Sequence, residues 1–140
     1  MKILLPVDGS DYTKRMLAYL AAHPELLPGQ HDYTFFAVIE PYAPHETNFA
    51  MAVPMEDFMR NRAEDILRPV RAFAQQQGWQ GTFDYVPGVA VNAIVDKAEK
   101  LAPDLIVMGT HGRSALGALV MGSVAHGVLE NCKVPVLLIR

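Results

Sequence analysis

Short apolar runs alternate with segments whose apolar positions recur at helical spacing, from one end of the chain to the other. Lys2 to Val7 predicts a buried strand. It is closed by Asp8-Gly9-Ser10, after which Tyr12, Met16, Leu17, Tyr19 and Leu20 fall on one helical stripe. Tyr33 to Glu40 is rich in β-branched and aromatic residues and predicts a second strand, ended by Pro41. Residues 41–54 carry three prolines and little periodicity, which predicts a long surface connection. A helix over Met55 to Gln77 follows, with Glu56 and Asp57 at its positive end, Phe58, Ile66, Val70 and Phe73 on its apolar face, and a kink at Pro69. Thr82 to Val86 is a short strand and Val91 to Leu101 a helix. Asp104 to Gly109 is a buried strand, Ser123 to Asn131 a helix, and Val134 to Ile139 a closing strand. Five strands alternating with about four helices, the strands apolar on both faces, imply a doubly wound α/β fold around a mainly parallel sheet.

Composition narrows the picture. The chain has 140 residues, 51% apolar and 19% charged, with no linker, low-complexity tract or internal repeat, so one domain over 1–140 is expected. Twelve basic against fifteen acidic residues give a formal charge of −3, which offers no field for a nucleic-acid backbone. Cys132 is alone, which excludes an internal disulfide, a redox CxxC pair and a cysteine-paired zinc knuckle. The opening apolar run is cut at Asp8, too short for a secretory signal, and no apolar stretch approaches the roughly 18 residues that suggest a membrane span. A soluble, cytoplasmic protein without membrane or nucleic-acid partners is the expectation.

In a doubly wound sheet, ligands sit beyond the carboxyl ends of the strands, where the strand order reverses. Those ends carry Asp8, then Val38-Ile39-Glu40, then Gly109-Thr110-His111-Gly112-Arg113-Ser114. Gly109, Gly112, Gly122 and Ser123 form the pattern G-x2-G-x9-G-S, which composition alone would generate at a frequency of roughly 0.003. Glycines admit an anion close to the backbone, and the amides opening the Ser123 helix are unpaired donors aided by the dipole. The chain is therefore expected to leave at Gly112 and return at Gly122 around a polyphosphate. Neither GxxxxGK[ST] nor GxGxxG occurs, so no lysine is placed by motif at terminal phosphates. Arg113, a bound Mg²⁺ and the helix N-terminus would have to offset the charge of ATP. GxSxG is also missing, which argues against a serine hydrolase.

With these residues in view, the chain resembles the nucleotide-binding branch of the universal stress protein family. Gly109-Thr-His-Gly112 with Gly122-Ser-Val-Ala125 resembles that family's ATP signature. The openings ILLPVDGS and VIEP, Gly88-x5-Ile94, DLIVMGTHGR and the closing CKVPVLLIR extend the likeness over nearly the whole chain. The resemblance implies an adenine nucleotide alpha hydrolase-like sheet in the order 3-2-1-4-5, which sets Asp8 facing Gly109. It further implies that Asp8 contacts the ribose, that Pro6 and Val7 wall the nucleoside and that the Val38 backbone reads the adenine edge. Met108 and Gly109 would line the ribose, His111, Gly112 and Arg113 would lie near the phosphates, and Gly122, Ser123 and Val124 would close around them. Thr13 and Lys14 depart from the small residue often found after the Asp-Gly-Ser turn.

The function expected is an ATP-binding, homodimeric, nucleotide-responsive module in stress response, with the 41–54 loop and the 112–122 segment ordered by nucleotide. The dimer would form through strand 134–139, whose apolar edge needs covering. A slow ATPase or a self-phosphorylating protein, with Ser123 or Thr110 as acceptor, is the alternative, as is a binder of another adenylated metabolite. Catalytic residues and a protein-held metal are not assigned. His23, His31 and His45 have no metal spacing and read as surface residues, Ser123 and His126 as a surface pair, and Met51, Met55 and Met59 as core or lid packing.

Overall fold

The computed structural model describes residues 1–41, 54–113 and 121–140. The expected long connection and the middle of the glycine-rich segment lie mostly outside the described residues. The order is β1 Lys2–Pro6, α1 Asp11–Ala22, β2 Asp32–Ile39, α2 Met55–Gln76, β3 Gly81–Pro87, α3 Ala90–Leu101, β4 Leu105–Gly109, α4 Ser123–Asn131 and β5 Val136–Ile139. All four strand pairings are parallel and the sheet order is β3-β2-β1-β4-β5. β1 is thus central. It pairs with β2 from Lys2↔Asp32 to Pro6↔Phe36 and with β4 at Ile3↔Leu105 and Leu4↔Ile106.

The two-residue period of a strand explains why each strand reads as apolar throughout. Ile3, Leu5 and Val7 of the β1 segment join Tyr33, Phe35, Ala37 and Ile39 of β2 in one core with α1 and α2. The intervening Leu4 and Phe36, with Ile106 and Met108 of β4, form a second core with Ile94 of α3 and Val128 of α4. Phe35 and Phe36 are both buried, on opposite faces, and each such burial is worth roughly 2–3 kcal/mol. Helices on both faces complete the doubly wound arrangement.

Local sequence sets the ends. Ser10 caps α1, its hydroxyl accepting from the Thr13 amide at 3.4 Å. α2 passes through Pro69 without a break, its Glu56 and Asp57 in the first turn and Met59, Ile66, Leu67 and Val70 buried. β5 starts at Val136, two residues later than the apolar run predicts. Pro135 has no amide for a ladder and contributes its carbonyl, which accepts from the Ile106 amide at 2.9 Å. The methionine stripe divides, Met59 being buried and Met55 exposed, while Met51 lies outside the described residues.

Candidate functional site

β1 and β4 are neighbours, so the turn after Pro6 and the loop after Gly109 meet at the carboxyl end of the sheet. Asp8 joins them. One carboxylate oxygen, Oδ1, accepts from the Ser10 amide at 2.9 Å and from the Thr13 hydroxyl at 2.9 Å, and Oδ2 accepts from the Arg113 amide at 3.2 Å across the gap. The Thr13 hydroxyl also accepts from the Asp8 amide at 3.1 Å, which closes a ring between the turn and the first helical turn. A carboxylate has about four lone-pair directions. Among the described residues three are filled, which leaves one acceptor direction for a ligand hydroxyl.

The glycines have packing reasons of their own. A Cβ on Gly112 would lie 2.6 Å from Asp8 Oδ2, and one on Gly109 would lie 2.9 Å from the Tyr12 Cβ. A Cβ on Gly122 would lie 3.0 Å from the Thr110 carbonyl oxygen and 3.1 Å from the His111 Cα. The chain does return beside Thr110 and His111 at Gly122, whose amide donates to the Thr110 carbonyl. That amide is therefore occupied. The next three, on Ser123, Val124 and Ala125, open α4, and the glycine at the N-cap has no side chain with which to cap them. Gly9 takes a φ of 75°, in the left-handed region, and the Arg113 guanidinium would be 3.3 Å from a Cβ there. Arg113 thus lies across the β1 turn, with no carboxylate ion-pair partner among the described residues.

A concavity of about 340 Å³ opens between the two loops, lined by Gly9, Ser10, Asp11, Tyr12, Gly112 and Arg113. Tyr12, which the sequence places on the apolar stripe of α1, lines this concavity instead. Its ring packs on His111 at a centroid distance of 4.9 Å, and the Arg15 guanidinium lies over the same ring, 5.4 Å from its centroid. The Thr110 hydroxyl is buried and bonds His111 Nδ1 at 3.0 Å. Thr13, read as a departure, turns out to hold Asp8. The spacing Ser10-x-x-Thr13 at a helix start is the signal that could have found it.

The remaining predicted residues fall as follows. Pro6 ends β1 and the buried Val7 follows it; the buried Met108 is the penultimate residue of β4. Val38 stands near the end of β2, paired with Val86 of β3, on the far side of β1 from Gly109. Val124 is half-buried against the α3/α4 core, whereas Ser123 is exposed. His126 pairs with Glu130 at 3.3 Å, one turn along the exposed helix face, in place of Ser123. His31 departs from the surface reading: it is half-buried, and its Nε2 is buried without a partner among the described residues. Among the described residues no group of three or more His, Cys, Asp or Glu is placed to hold a metal, and no helix is long and apolar enough to cross a membrane.

A family model described as universal stress protein family matches residues 1–140. The chain belongs to the universal stress protein family. Relatives carrying that name include one from Methanocaldococcus jannaschii, 30% identical over 99% of this chain and 81% of its own length. Another, from Thermus aquaticus, is 33% identical over 99% and 97%. The fold is shared with the universal stress protein UspA of Lactobacillus plantarum, at a TM-score of 0.80 and 21% identity over 100% of this chain and 97% of that one. An Archaeoglobus fulgidus member solved in complex with dAMP matches at 0.65 and 23%, over 100% and 98%. An Arabidopsis thaliana member solved with AMP bound matches at 0.70 and 16%, over 99% and 90%.

Proposed function

We propose that this universal stress protein binds ATP with Mg²⁺ between the β1 turn and the β4–α4 loops, and that the nucleotide changes the surface it presents to partners in a stress response. The observation that carries the reading is the meeting of three features at one end of the sheet. They are Asp8 bonded to the Arg113 amide, Gly122 folded back onto Thr110, and the α4 N-terminus without a capping side chain. The donors suit a polyphosphate: backbone amides at a helix start, with the Arg113 guanidinium nearby. The remaining acceptor direction on Asp8 suits a ribose hydroxyl. Mg²⁺ would rest on phosphate oxygens and water, since it commonly keeps several waters and few protein ligands. The AMP and dAMP complexes of fold relatives support an adenine nucleotide as the ligand class.

The same reading assigns Val7, Pro6, Val38 and Met108 to the nucleoside and His111, Gly112, Ser123 and Val124 to the phosphate side. Calorimetric titration with ATP, ADP and AMP tests it. Wild type is expected to bind all three, and Arg113→Ala to lose roughly tenfold for ATP, about 1.4 kcal/mol, with a smaller loss for AMP. Equal losses for ATP and AMP would remove Arg113 from the phosphates, and no binding of any of them would overturn the proposal. The homodimer through 134–139 belongs to the same proposal. β5 is an edge strand, and the half-buried Leu137 and Leu138 lie beside its free backbone groups. Sedimentation at micromolar concentration is expected to give a dimer; a monomer refutes it.

A further inference from the structure

At the opposite pole of the sheet, by the amino ends of β2 and β3, lies a second cavity of about 330 Å³. It is separated from the nucleotide region by the length of β2, eight residues or roughly 26 Å at 3.3 Å per residue. Leu20 of α1, Leu27, Tyr33 and Trp79 form part of its lining. The aromatic wall is built and braced. Trp79 packs on Tyr33 at 5.3 Å and meets Phe73 edge to face at 5.8 Å. Gln30, Gln77 and Gln80 line the cavity too, and none of its twelve lining residues is Asp, Glu, Lys or Arg.

His31 adds an unsatisfied polar group. Its Nδ1 faces the Met1 nitrogen at 3.3 Å, and that nitrogen is a donor, so Nδ1 accepts and the ring proton sits on Nε2. That N–H is buried and has no acceptor among the described residues. A buried donor left unpaired is an exception among folded proteins and calls for a reason. Here it belongs to a residue that lines an aromatic cavity.

We infer that this amino-pole cavity is a second binding site, independent of nucleotide, for an uncharged planar heteroaromatic molecule bearing a carbonyl-type acceptor. Aromatic walls favour a flat ring in offset or edge contact. Glutamine amides, each both donor and acceptor, can read polar ring edges without imposing a charge. No lining residue carries an ammonium or guanidinium, and the nearest cation, the Met1 ammonium, is held at His31 Nδ1, so a phosphate or carboxylate would lose its hydration on entry for little compensation. The unpaired Nε2 proton belongs to a lining residue, and a carbonyl-type acceptor is the group that would satisfy it.

The chain has one tryptophan, so the indole N–H of Trp79 gives a single, assigned reporter in a proton–nitrogen correlation spectrum. The probes are 2-quinolinone and, as its charged counterpart, quinoline-4-carboxylate, each titrated into the full chain. The expected result is a saturable shift of the Trp79 indole and the Gly78 amide with 2-quinolinone, at least tenfold weaker for the carboxylate. Ala21→Leu fills the cavity from α1 with a good helix former and is expected to abolish the shift while spectral dispersion stays native. His31→Phe, which keeps a ring but no donor, is expected to weaken binding about fivefold. No saturable shift in wild type, unchanged affinity in a folded Ala21→Leu protein, or shifts confined to residues 109–113 would each overturn the proposal.

Discussion

Asp8→Asn tests the junction on which the nucleotide reading depends. The carboxylate accepts three hydrogen bonds, two on Oδ1 and one on Oδ2 from the Arg113 amide. In the amide, the carbonyl can take the Oδ1 place and keep the first two, but the NH₂ then meets the Arg113 N–H donor to donor. The lost charge-assisted bond is worth about 1.5–3 kcal/mol in a protected setting and about 1 kcal/mol here, because Arg113 is exposed and its amide can turn to water. Neutralising the acceptor also weakens the two retained bonds, adding about 1 kcal/mol. The expected cost is about 2 kcal/mol. With roughly 2.1 cal/mol/K of unfolding entropy per residue, a 140-residue chain shifts its Tm by about 7 °C. Scanning calorimetry with urea unfolding at constant m gives both numbers. A double-mutant cycle with Thr13→Val should show a coupling of about 0.5 kcal/mol, since the one bond the two side chains share is weakened rather than lost in the amide. A loss below about 0.5 kcal/mol for Asp8→Asn would show that the carboxylate does not tie the β1 turn to the β4 loop, and strict additivity with Thr13→Val would show that it does not tie that turn to α1.

Three further predictions follow from single positions. Gly122→Val should lower stability by about 1–3 kcal/mol and weaken ATP binding together, because its Cβ would be 3.0 Å from a backbone oxygen that cannot swing aside; urea unfolding and calorimetry on the same preparation check both. Ala102 closes α3 with φ 46°, a conformation costing an L-residue about 1–2 kcal/mol, so Ala102→Gly should stabilise the fold by roughly 0.5–1 kcal/mol after the glycine's extra unfolded-state entropy, read as a higher urea midpoint. Burial pushes the Tyr33 phenol above 10.0, so the unfolded chain releases this proton before the folded one does. The stability held by neutral Tyr33 is complete below pH 10 and is lost as pH rises through the raised value. Ultraviolet titration should show one of the five tyrosines ionising late, a step missing in Tyr33→Phe.

The architecture was legible because its signals are local and periodic. Ile3, Leu4 and Leu5 in succession require a strand with two covered faces, and the alternation with helical stripes leaves few topologies. The strand order itself came from the likeness of whole motifs, since pairing of β1 with β4 leaves no mark on either strand's composition. At the site, the glycines were visible as a pattern, but the neighbours of two of them were not. Gly112 is small because Asp8 stands against it, and Gly109 because Tyr12 does, contacts that join residues about a hundred positions apart. Thr13 looked like a departure because its bond to Asp8 depends on the turn geometry of Gly9. His31 looked like a surface residue because nothing in its neighbourhood of prolines and polar residues announces that Tyr33 and Trp79 stack beside it.

The central position of β1 bears on how the chain is made. β1 precedes both of its neighbours in sequence, so one flank is covered by β2 while the other waits for residues 105–109. Until β4 is made, an apolar strand with an open hydrogen-bonding edge is held in the growing chain, the condition under which nascent proteins associate with one another or recruit chaperones. A fragment ending before β4 should therefore aggregate although it contains three of the five described strands, because the strand at the centre of the sheet is the one left with a bare flank.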